Sequence, residues 1–374
     1  MQRCEVLIVG GGPSGSTAAW KLRRGGLDDV LVLDKKPFPR DKICAGWVTP
    51  AVLDSLQLDH DDYRRNGRTL QPITGFRTGI IGAEAVDTRY QDTVSYGIRR
   101  CEFDAYLLER SGARRTDPAP LKTLERAGRG WIANGQIEAS LVIGAGGHFC
   151  PVARELGAQL GQAEQVVAAQ EIEFRLTDAQ KRETAATGDT PELYFCDDLK
   201  GYGWVFRKGE YLNVGLGRED NHRLAEHVQA FVQWLKSLGR VPRDMAEKFG
   251  GHAYLLYNHA PRPFVADGAL LVGDAAGLAY PQSGEGIRPA VESAILAADT
   301  ILAADKNYST RHLGAYQSRM LDRFGPRQTT SMTDRLPESF KRFIGARLMG
   351  SPWFTRHIVI DKWFLHADQP GLAA

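Results

Sequence analysis

The sequence lacks the features that mark several classes of protein. Its five cysteines are odd in number and contain no C-x-x-C pair, which argues against a disulfide framework and a zinc knuckle. No apolar run reaches the ~18 residues that span a bilayer, and residues 6–9 are too short for the core of a signal peptide. The nine histidines show no H-E-x-x-H spacing. These absences predict a cytoplasmic protein without a bound metal.

Charge of either sign is not in excess. The 374 residues include 47 Lys+Arg and 45 Asp+Glu, a net charge of +2. Nucleic-acid-binding proteins carry a clustered basic excess that neutralises phosphates, so no nucleic-acid partner is predicted. With 43% hydrophobic and 25% charged residues, the composition is that of a globular protein, and a chain of this length has room for two lobes.

Glycine, in contrast, is abundant, because the 40 glycines exceed the usual share of about 7%. A first group lies between a predicted buried strand at residues 5–9 and a predicted helix at residues 16–24. A second strand, at residues 30–33, ends at Asp34. The spacing of the glycines between strand and helix is G-x-G-x-x-G, formed by Gly10, Gly12 and Gly15.

Each element of this pattern has a physical role in holding a dinucleotide. Gly10 makes the tight turn, Gly12 lets the backbone approach a pyrophosphate, and Gly15 permits close helix–strand packing. The helix N-terminus offers unpaired N–H groups to phosphate, and Asp34 can accept hydrogen bonds from ribose hydroxyls. The pattern predicts a dinucleotide-binding βαβ unit, and the alternative is a strand turn that is merely rich in glycine.

Two further apolar strands, at residues 141–143 and 269–272, also run into glycine turns. The intervening segments are short, aromatic and β-branched, which is typical of antiparallel strands. We therefore predict an α/β fold in which a parallel nucleotide-binding sheet is accompanied by an antiparallel lobe. The predicted division is residues 1–70, 96–165 and 255–308 for the nucleotide-binding domain, 71–95 and 166–254 for the antiparallel substrate domain, and 309–374 for a helical C-terminal segment.

Five segments in fixed order resemble the geranylgeranyl reductase family of FAD-dependent oxidoreductases, within the p-hydroxybenzoate-hydroxylase-like flavoprotein class. They are residues 10–15 with Asp34, residues 37–46, the R-x-x-F-D-x-x-L segment 100–107, the aromatic strand 201–206, and the G-D turn 273–277 that leads to residues 281–287. The resemblance spans most of the chain. It implies a Rossmann-like FAD-binding domain with an antiparallel-sheet substrate domain.

The chain departs from that pattern at two places. Gly146 and Gly147 stand where the class usually has Asp-Gly, and Cys150 stands where a serine is expected. Arg207 replaces the proline that follows Phe206 in the reductases. The first departure concerns the region of pyridine-nucleotide contact, so the reductant is left open between NAD(P)H and a reduced electron carrier.

The resemblance implies which residues bind FAD. Asp274 would contact the ribityl and phosphate part, although a helix N-cap is the alternative. The helix predicted at residues 287–304 would direct its N-terminus to the flavin pyrimidine ring and stabilise negative charge there. Arg100, placed just before a helix starting at Phe103, would reach phosphate or flavin. The predicted FAD-binding residues are Gly10, Gly12, Pro13, Ser14, Gly15, Asp34, Lys35, Lys42, Cys44, Ala45, Gly46, Arg100, Gly146, Gly273, Asp274, Gly284, Gly286 and Ile287.

Three residues are predicted to act on the substrate. The resemblance places Cys44 near the reactive face of the flavin, where its thiol would position substrate or relay a proton; the alternative is a buried packing role. Tyr202 and Trp204 alternate with Phe206 and so share one strand face. That face is either ordinary core or a wall that shapes an apolar substrate cavity.

The predicted function is hydride transfer from flavin N5 to a carbon–carbon double bond of an apolar, isoprenoid-like substrate. One alternative is a monooxygenase or halogenase that uses a flavin C4a-hydroperoxide, since the same scaffold serves both. A second alternative is a flavin- or lipid-binding protein without turnover. The apolar residues at 352–365, interleaved with Arg356 and Lys362, predict helices packed on the domain or, alternatively, a face that contacts a membrane.

Overall fold

The computed structural model describes residues 1–159, 164–220, 222–327 and 338–372. Residues 160–163, 221, 328–337 and 373–374, which fall within the predicted domains, lie outside the described residues. The described strands are β1 (Gln2–Val9), β2 (Val30–Leu33), β3 (Trp47–Val48), β4 (Leu70–Ile73), β5 (Gly75–Ile80), β6 (Val86–Arg89), β7 (Ser95–Ile98), β8 (Arg114–Arg115), β9 (Leu124–Ala127), β10 (Gly130–Ala133), β11 (Ile137–Gly144), β12 (Val166–Arg175), β13 (Glu192–Phe195), β14 (Gly201–Lys208), β15 (Tyr211–Arg218), β16 (Gly250–Leu255), β17 (Val265–Ala266) and β18 (Ala269–Leu271).

The helices connect and cover these strands. The described α-helices are α1 (Pro13–Arg24), α2 (Pro50–Ser55), α3 (His60–Arg65), α4 (Arg100–Ser111), α5 (Pro151–Glu155), α6 (Asp178–Glu183), α7 (Leu224–Ser237), α8 (Ile287–Ala303), α9 (Thr310–Phe324), α10 (Glu338–Met349) and α11 (Pro352–Phe354). A π-helical segment, Thr355–Phe364, continues directly from α11, and 3₁₀ turns occur at Tyr257–His259 and Gly273–Ala275.

The first sheet has a parallel centre in the order β18-β11-β1-β2-β8. Residues 6–9, 30–33 and 141–144 are all buried, because α1, α8 and other elements cover both faces of the sheet. The carboxyl ends of these strands therefore meet at one edge, which is where ligands bind in open α/β sheets. The glycine turns after β1, β11 and β18 lie at that edge.

The second sheet has the order β16-β12-β15-β14-β13-β5-β6 and is antiparallel except for the β13–β5 pair. Helix α7 packs its apolar side, including Val228 and Phe231, on one face. The opposite face carries an aromatic cluster against which the π-helical segment packs through Phe364. The predicted α/β class, with a Rossmann-like sheet, an antiparallel sheet and C-terminal helices, is confirmed.

A third sheet, β3-β7-β4, was not among the predicted elements. Its strand β3 has only two residues, so it carries no alternation pattern that could identify it. The strand follows Gly46, which has φ of +70° and where any β-carbon would overlap the Ile98 carbonyl oxygen. The sheet thereby fixes the turn that contains Cys44. The exact division of the chain into domains stays a prediction.

Two predicted helix starts were wrong by three residues. Helix α1 begins at Pro13 rather than residue 16, since a proline is well suited to the first helical position. Helix α4 begins at Arg100 rather than Phe103, with Arg99 as its N-cap. Arg100 therefore belongs to the first turn and pairs with Asp104 one turn later.

The C-terminal elements form no bilayer span. Among the described residues, no helix combines the length and apolar character needed to cross a membrane. The tail is instead anchored by Arg288, near the start of α8, which donates to the carbonyl oxygens of Gln369 and Pro370.

Candidate functional site

The glycine turn after β1 has the geometry of a phosphate-binding loop. Gly10 has φ of +112°, and a β-carbon there would overlap the Ala145 carbonyl oxygen. A β-carbon at Gly15 would overlap the Gly10 carbonyl oxygen. Around Gly12, by contrast, only the end of the Arg40 side chain comes within 4 Å, at 3.7 Å. The backbone is therefore closely packed at Gly10 and Gly15. It is open at Gly12, before the N-terminus of α1, as a bound phosphate requires.

The other glycine turns converge on this loop. A β-carbon at Gly10 would lie 2.9 Å from the Gly146 Cα, and one at Gly273 would lie 3.0 Å from the Ser14 hydroxyl. Residues predicted from three distant segments of the sequence are thus brought to a single sheet edge. Pro13, Ser14 and Gly15 lie in the first turn of α1.

Asp34 holds the loop rather than standing free at the end of β2. One of its carboxylate oxygens accepts the Gly11 N–H at 2.7 Å, and the other accepts the Lys36 N–H at 3.0 Å. The side chain of Lys35 beside it is exposed. Contact between Asp34 and a ribose stays a prediction.

A cavity of about 290 Å³ lies beside Asp34. Its lining combines apolar side chains with polar groups, a combination that suits an adenosine. Most of these residues were not predicted from the sequence, because they come from β2 and the segment after it, from α4, and from β8 and the segment after it. They include Val32, Phe38, Leu108, Arg115, Thr116 and Pro118.

Arg40 extends across the front of the loop. Its guanidinium lies 3.5 Å from Asp34, 3.9 Å from Asp104, and over the Phe38 ring at 4.5 Å from the centroid. Its Nε is buried and has no hydrogen-bond partner among the described residues. A pyrophosphate in front of Gly12 would supply an acceptor for it. Together with the open loop and the adenosine-sized cavity, this unpartnered donor fits the ADP half of FAD.

At the other end of the site, Asp274 lies inside a 3₁₀ turn and makes no capping hydrogen bond, so the alternative of a helix N-cap was wrong. Gly286 is the N-cap of α8, and a β-carbon there would lie 3.1 Å from the Asp274 carboxylate. Glu285 accepts the Arg288 N–H at 2.7 Å. Burial raises the pKa of Glu285 to about 7. Gly284 and Ile287 complete this turn, which we call the α8 turn (residues 283–287).

Lys42 and His252 form a partly buried pair next to Asp274. The Lys42 ammonium donates to His252 Nε2 at 2.8 Å, and that nitrogen is 3.9 Å from the Asp274 carboxylate. Burial, reinforced by the charge of Arg100, lowers the pKa of Lys42 to about 8. Burial, reinforced by Lys42, lowers the pKa of His252 to about 2. His252 is therefore neutral and accepts the hydrogen bond from Lys42.

Cys44 lies at the centre of the site. The Gly46 N–H donates to its sulfur at 3.4 Å, and the Arg100 guanidinium is within hydrogen-bonding reach of the same atom. Arg100 is otherwise engaged with Asp104, through bonds of 2.7 and 2.9 Å. It is a buried side chain beside the thiol, not a surface charge. Contact between FAD and Arg100 or Ala45 stays a prediction.

Tyr202 and Trp204 lie in the aromatic cluster with Phe206, so the predicted common face is confirmed. The Tyr202 hydroxyl donates to the Ser283 carbonyl oxygen in the α8 turn. The Tyr202 ring contacts those of Trp204 and Phe364 at centroid distances of 6.0 and 5.4 Å. An aromatic wall thus reaches from the second sheet to the α8 turn.

The polar residues on the same sheet face were not predicted from the sequence. Glu171 and Glu173 of β12 accept hydrogen bonds from Asn213 of β15, which in turn accepts one from Trp204 at 2.7 Å. Lys208 of β14 is buried and paired with Glu173. Two carboxylates at alternate positions of an otherwise apolar strand are a signal that could have identified this group.

The charge of Lys42 makes FAD binding sensitive to pH. If anionic FAD binds beside it, the cofactor raises the pKa of Lys42 above about 8, so binding takes up a proton and weakens as pH rises. We expect FAD affinity to fall about 3- to 10-fold between about pH 7 and about pH 9, and Lys42→Met to flatten that dependence. Fluorescence titration of FAD measures it. If FAD affinity falls equally steeply with pH in Lys42→Met and in the unaltered protein, the placement of Lys42 beside the cofactor is contradicted.

Known proteins resemble this chain over most of its length. The model of the NAD(P)-binding Rossmann-like domain matches residues 8–60. A chloroplastic geranylgeranyl diphosphate reductase of Oryza sativa subsp. japonica is 29% identical and covers 82% of this chain and 68% of its own. An uncharacterized protein of Methanosarcina barkeri is 30% identical (82% and 76%), and a menaquinone reductase of Mycobacterium tuberculosis is 29% identical (91% and 85%).

Solved structures share the fold. A geranylgeranyl bacteriochlorophyll reductase-like protein of Thermoplasma acidophilum is 21% identical with a TM-score of 0.73, covering 93% of this chain and 88% of its own. A flavin-dependent brominase is 16% identical with a TM-score of 0.65, covering 85% and 83%. Fold and site together define an FAD-dependent oxidoreductase. Within that class, the chain belongs to the geranylgeranyl reductase family.

Proposed function

We propose that this protein reduces carbon–carbon double bonds in an isoprenoid-like, apolar substrate. The observation that carries the proposal is the aromatic wall formed by Tyr202, Trp204 and Phe364, which reaches the α8 turn and is linked through Asn213 to the backbone of Cys44. An apolar chain packed on this wall would lie beside the residues that fit the flavin. Relatives with printed names of geranylgeranyl diphosphate reductase and menaquinone reductase support the substrate class.

When bound, reduced FAD supplies the hydride from its N5 atom. The protein then has to exclude water, hold the alkene and provide a proton for the second carbon. The aromatic wall would serve the first two tasks, because Trp204 and Phe364 are buried. Cys44 would hold or donate the proton, since the Arg100 guanidinium and the Gly46 N–H both lie within hydrogen-bonding reach of its sulfur.

The fold alone does not separate reduction from oxygen chemistry, because a flavin-dependent brominase shares it. The apolar lining and the sequence relatives favour reduction. The reductant is either NAD(P)H, visiting transiently, or a reduced electron carrier. The chain has a single G-x-G-x-x-G fingerprint at its first strand, and that fingerprint fits FAD.

The test is a single-turnover reaction without oxygen. Dithionite-reduced, FAD-loaded protein is mixed with geranylgeranyl diphosphate, and the products are analysed by mass spectrometry. We expect reoxidation of the flavin together with a product that has gained hydrogen across a double bond; oxidised protein is the control. Flavin that stays reduced with this substrate and with a menaquinone, but reacts with oxygen to give an oxygenated product, would contradict the proposal.

We further propose that the protein contacts an anionic lipid surface through its C-terminal part. Phe343 and Trp353 are 68% and 64% exposed, and Ile344, Leu348 and Leu199 are also exposed. Leu199 lies against Gly345 of α10, so these side chains belong to one region. We call it the C-terminal apolar surface; its residues are Leu199, Phe343, Ile344, Leu348 and Trp353.

Charge favours a bilayer as the occupant of this surface. Exposed arginines at positions 342, 347 and 356 lie on the same elements, and the nearby acidic partner is Asp197, 3.9 Å from Arg342. Apolar and basic side chains interleaved on a short helix are typical of helices that lie in a membrane interface. The adjoining π-helical segment also forms part of the aromatic wall. The surface would therefore bring the site close to a lipid substrate. A cytoplasmic location for the protein stays a prediction.

Vesicle sedimentation tests this contact. Replacement of Trp353 and Phe343 by alanine is expected to weaken binding to phosphatidylglycerol vesicles by about 10-fold or more, because two large apolar side chains no longer enter the interface. Leu238→Ala is the matched control, since Leu238 is 51% exposed at the end of α7. Equal binding by the double variant and the unaltered protein, or no vesicle binding at all, would contradict it.

A further inference from the structure

The peptide groups on both sides of Cys44 are held by the second sheet. The Cys44 N–H lies within hydrogen-bonding reach of the Glu171 carboxyl group. The Asn213 amide donates to the Cys44 carbonyl oxygen at 3.2 Å. Lys208 then donates to the next carbonyl oxygen, that of Ala45, at 2.9 Å. Three side chains from three adjacent strands thus hold consecutive backbone groups of one turn.

The sheet is built to let this turn come close. Glu171 is flanked by Gly215 on one neighbouring strand and Gly250 on the other. A β-carbon at Gly250 would lie 2.7 Å from the Ile43 side chain, and one at Gly215 would overlap the Trp204 ring. The absence of side chains at both positions leaves room for Ile43 and Trp204 to approach the sheet on either side of Glu171.

Glu171 and Glu173 differ in the groups that contact their carboxylates. Lys208 pairs with Glu173, which Arg99 also contacts at 3.1 Å. These two cations hold the pKa of Glu173 below its usual value, even though burial acts in the opposite direction. Glu171 receives hydrogen bonds from Cys44 and Asn213, while burial raises its pKa to about 7. The groups that face Glu171 are thus the Cys44 N–H, Asn213, Lys208 and Glu173.

We propose that Glu171 and Asn213 are positioning residues that set the orientation of the Cys44 thiol toward the substrate. They contact the Cys44 backbone, whereas the groups that contact its sulfur are Arg100 and the Gly46 N–H. A small rotation of this turn would move the sulfur relative to the aromatic wall. The proposal rests on the proposed function for its kinetic readout, and the reactivity of the thiol provides a second readout that needs no substrate.

The test compares Glu171→Gln with the unaltered protein. Glutamine has the same shape but cannot ionise and presents one acceptor oxygen instead of two. We expect FAD content and Tm to be retained, kcat to fall about 10- to 100-fold, and KM to change little. We also expect a several-fold change in the rate at which iodoacetamide alkylates Cys44, measured by peptide mass spectrometry.

The pH profile separates positioning from a general loss of structure. Above about pH 7 the ionised Glu171 can accept both hydrogen bonds, so kcat should rise through this pH in the unaltered protein. The kcat of Glu171→Gln should stay at the low-pH value of the unaltered protein. The kcat of Glu171→Asp should show part of the rise with pH. Glu210→Gln is the control, because Glu210 is a half-exposed carboxylate in the turn between β14 and β15, paired with Lys181 and Arg175.

Unchanged kcat, pH profile and Cys44 alkylation in Glu171→Gln would overturn the proposal. If that variant fails to fold, Asn213→Ser tests the proposal instead. It removes the donor to the Cys44 carbonyl oxygen and leaves both carboxylates in place. An unchanged rate of Cys44 alkylation in Asn213→Ser would then overturn the proposal. Failure of the unaltered protein to reduce any alkene would refute the proposed function and still leave the alkylation comparison decisive for positioning.

Discussion

Replacement of Gly15 by alanine is expected to abolish tight FAD binding. The added β-carbon would overlap the Gly10 carbonyl oxygen, which is backbone and cannot rotate away. The N-terminus of α1 must then move out of line with the loop, and hydrogen bonds to charged phosphate contribute about 1.5–3 kcal/mol each. Loss of two such bonds weakens binding by about 100-fold or more. Equilibrium titration of the apoprotein with FAD measures the change.

Gly314→Ala is the matched control for this substitution. Gly314 lies inside α9 and has no heavy atom within 4 Å of its added β-carbon. Alanine should there raise the free energy of unfolding by about 1 kcal/mol through helix propensity and leave FAD affinity unchanged. If Gly15→Ala binds FAD as tightly as Gly314→Ala does, the loop around residues 10–15 is not where the phosphates lie.

Replacement of Cys44 by alanine is expected to lower kcat by about 100-fold or more, the usual contribution of a positioned proton donor. FAD content should be retained, because the other residues that fit the cofactor are untouched. Steady-state kinetics and the absorbance spectrum of the bound flavin, recorded on the same preparation, separate the two effects. Serine at this position should recover little activity if the acidity of the thiol is what matters.

Cys101→Ala is the control for cysteine removal, since Cys101 is also half-buried and lies on α4 next to Arg100. Its kcat should match that of the unaltered protein. Full turnover in Cys44→Ala would show that Cys44 only packs against its neighbours, and the proton would have to come from another group.

The nucleotide-binding half of the site was predictable because its signals are local. The strand, the glycine turn and Asp34 occur within about 30 residues, and backbone sterics fix what each glycine does. The shared face of Tyr202 and Trp204 was predictable for the same reason, since strand alternation alone sets it. Fold class followed from these elements together.

The polar half of the site was not predictable, because its partners are distant in the chain. Lys42 and His252 are separated by 210 positions, and Asn213 and Cys44 by 169. A single sequence contains no information on which strands become neighbours. The same limitation applies to Arg100: its place before a predicted helix led to the prediction that it reaches phosphate or flavin, but not that its buried guanidinium lies beside the distant Cys44.

The most direct test is the absorbance spectrum of the purified protein, recorded before and after incubation with FAD and desalting. An FAD-dependent oxidoreductase with this site should be yellow, or turn yellow on incubation, and should release one FAD per chain on heat denaturation. A preparation that stays colourless through both steps, although correctly folded by circular dichroism, would show that no flavin occupies the loop around Gly10 and the turn before Ile287.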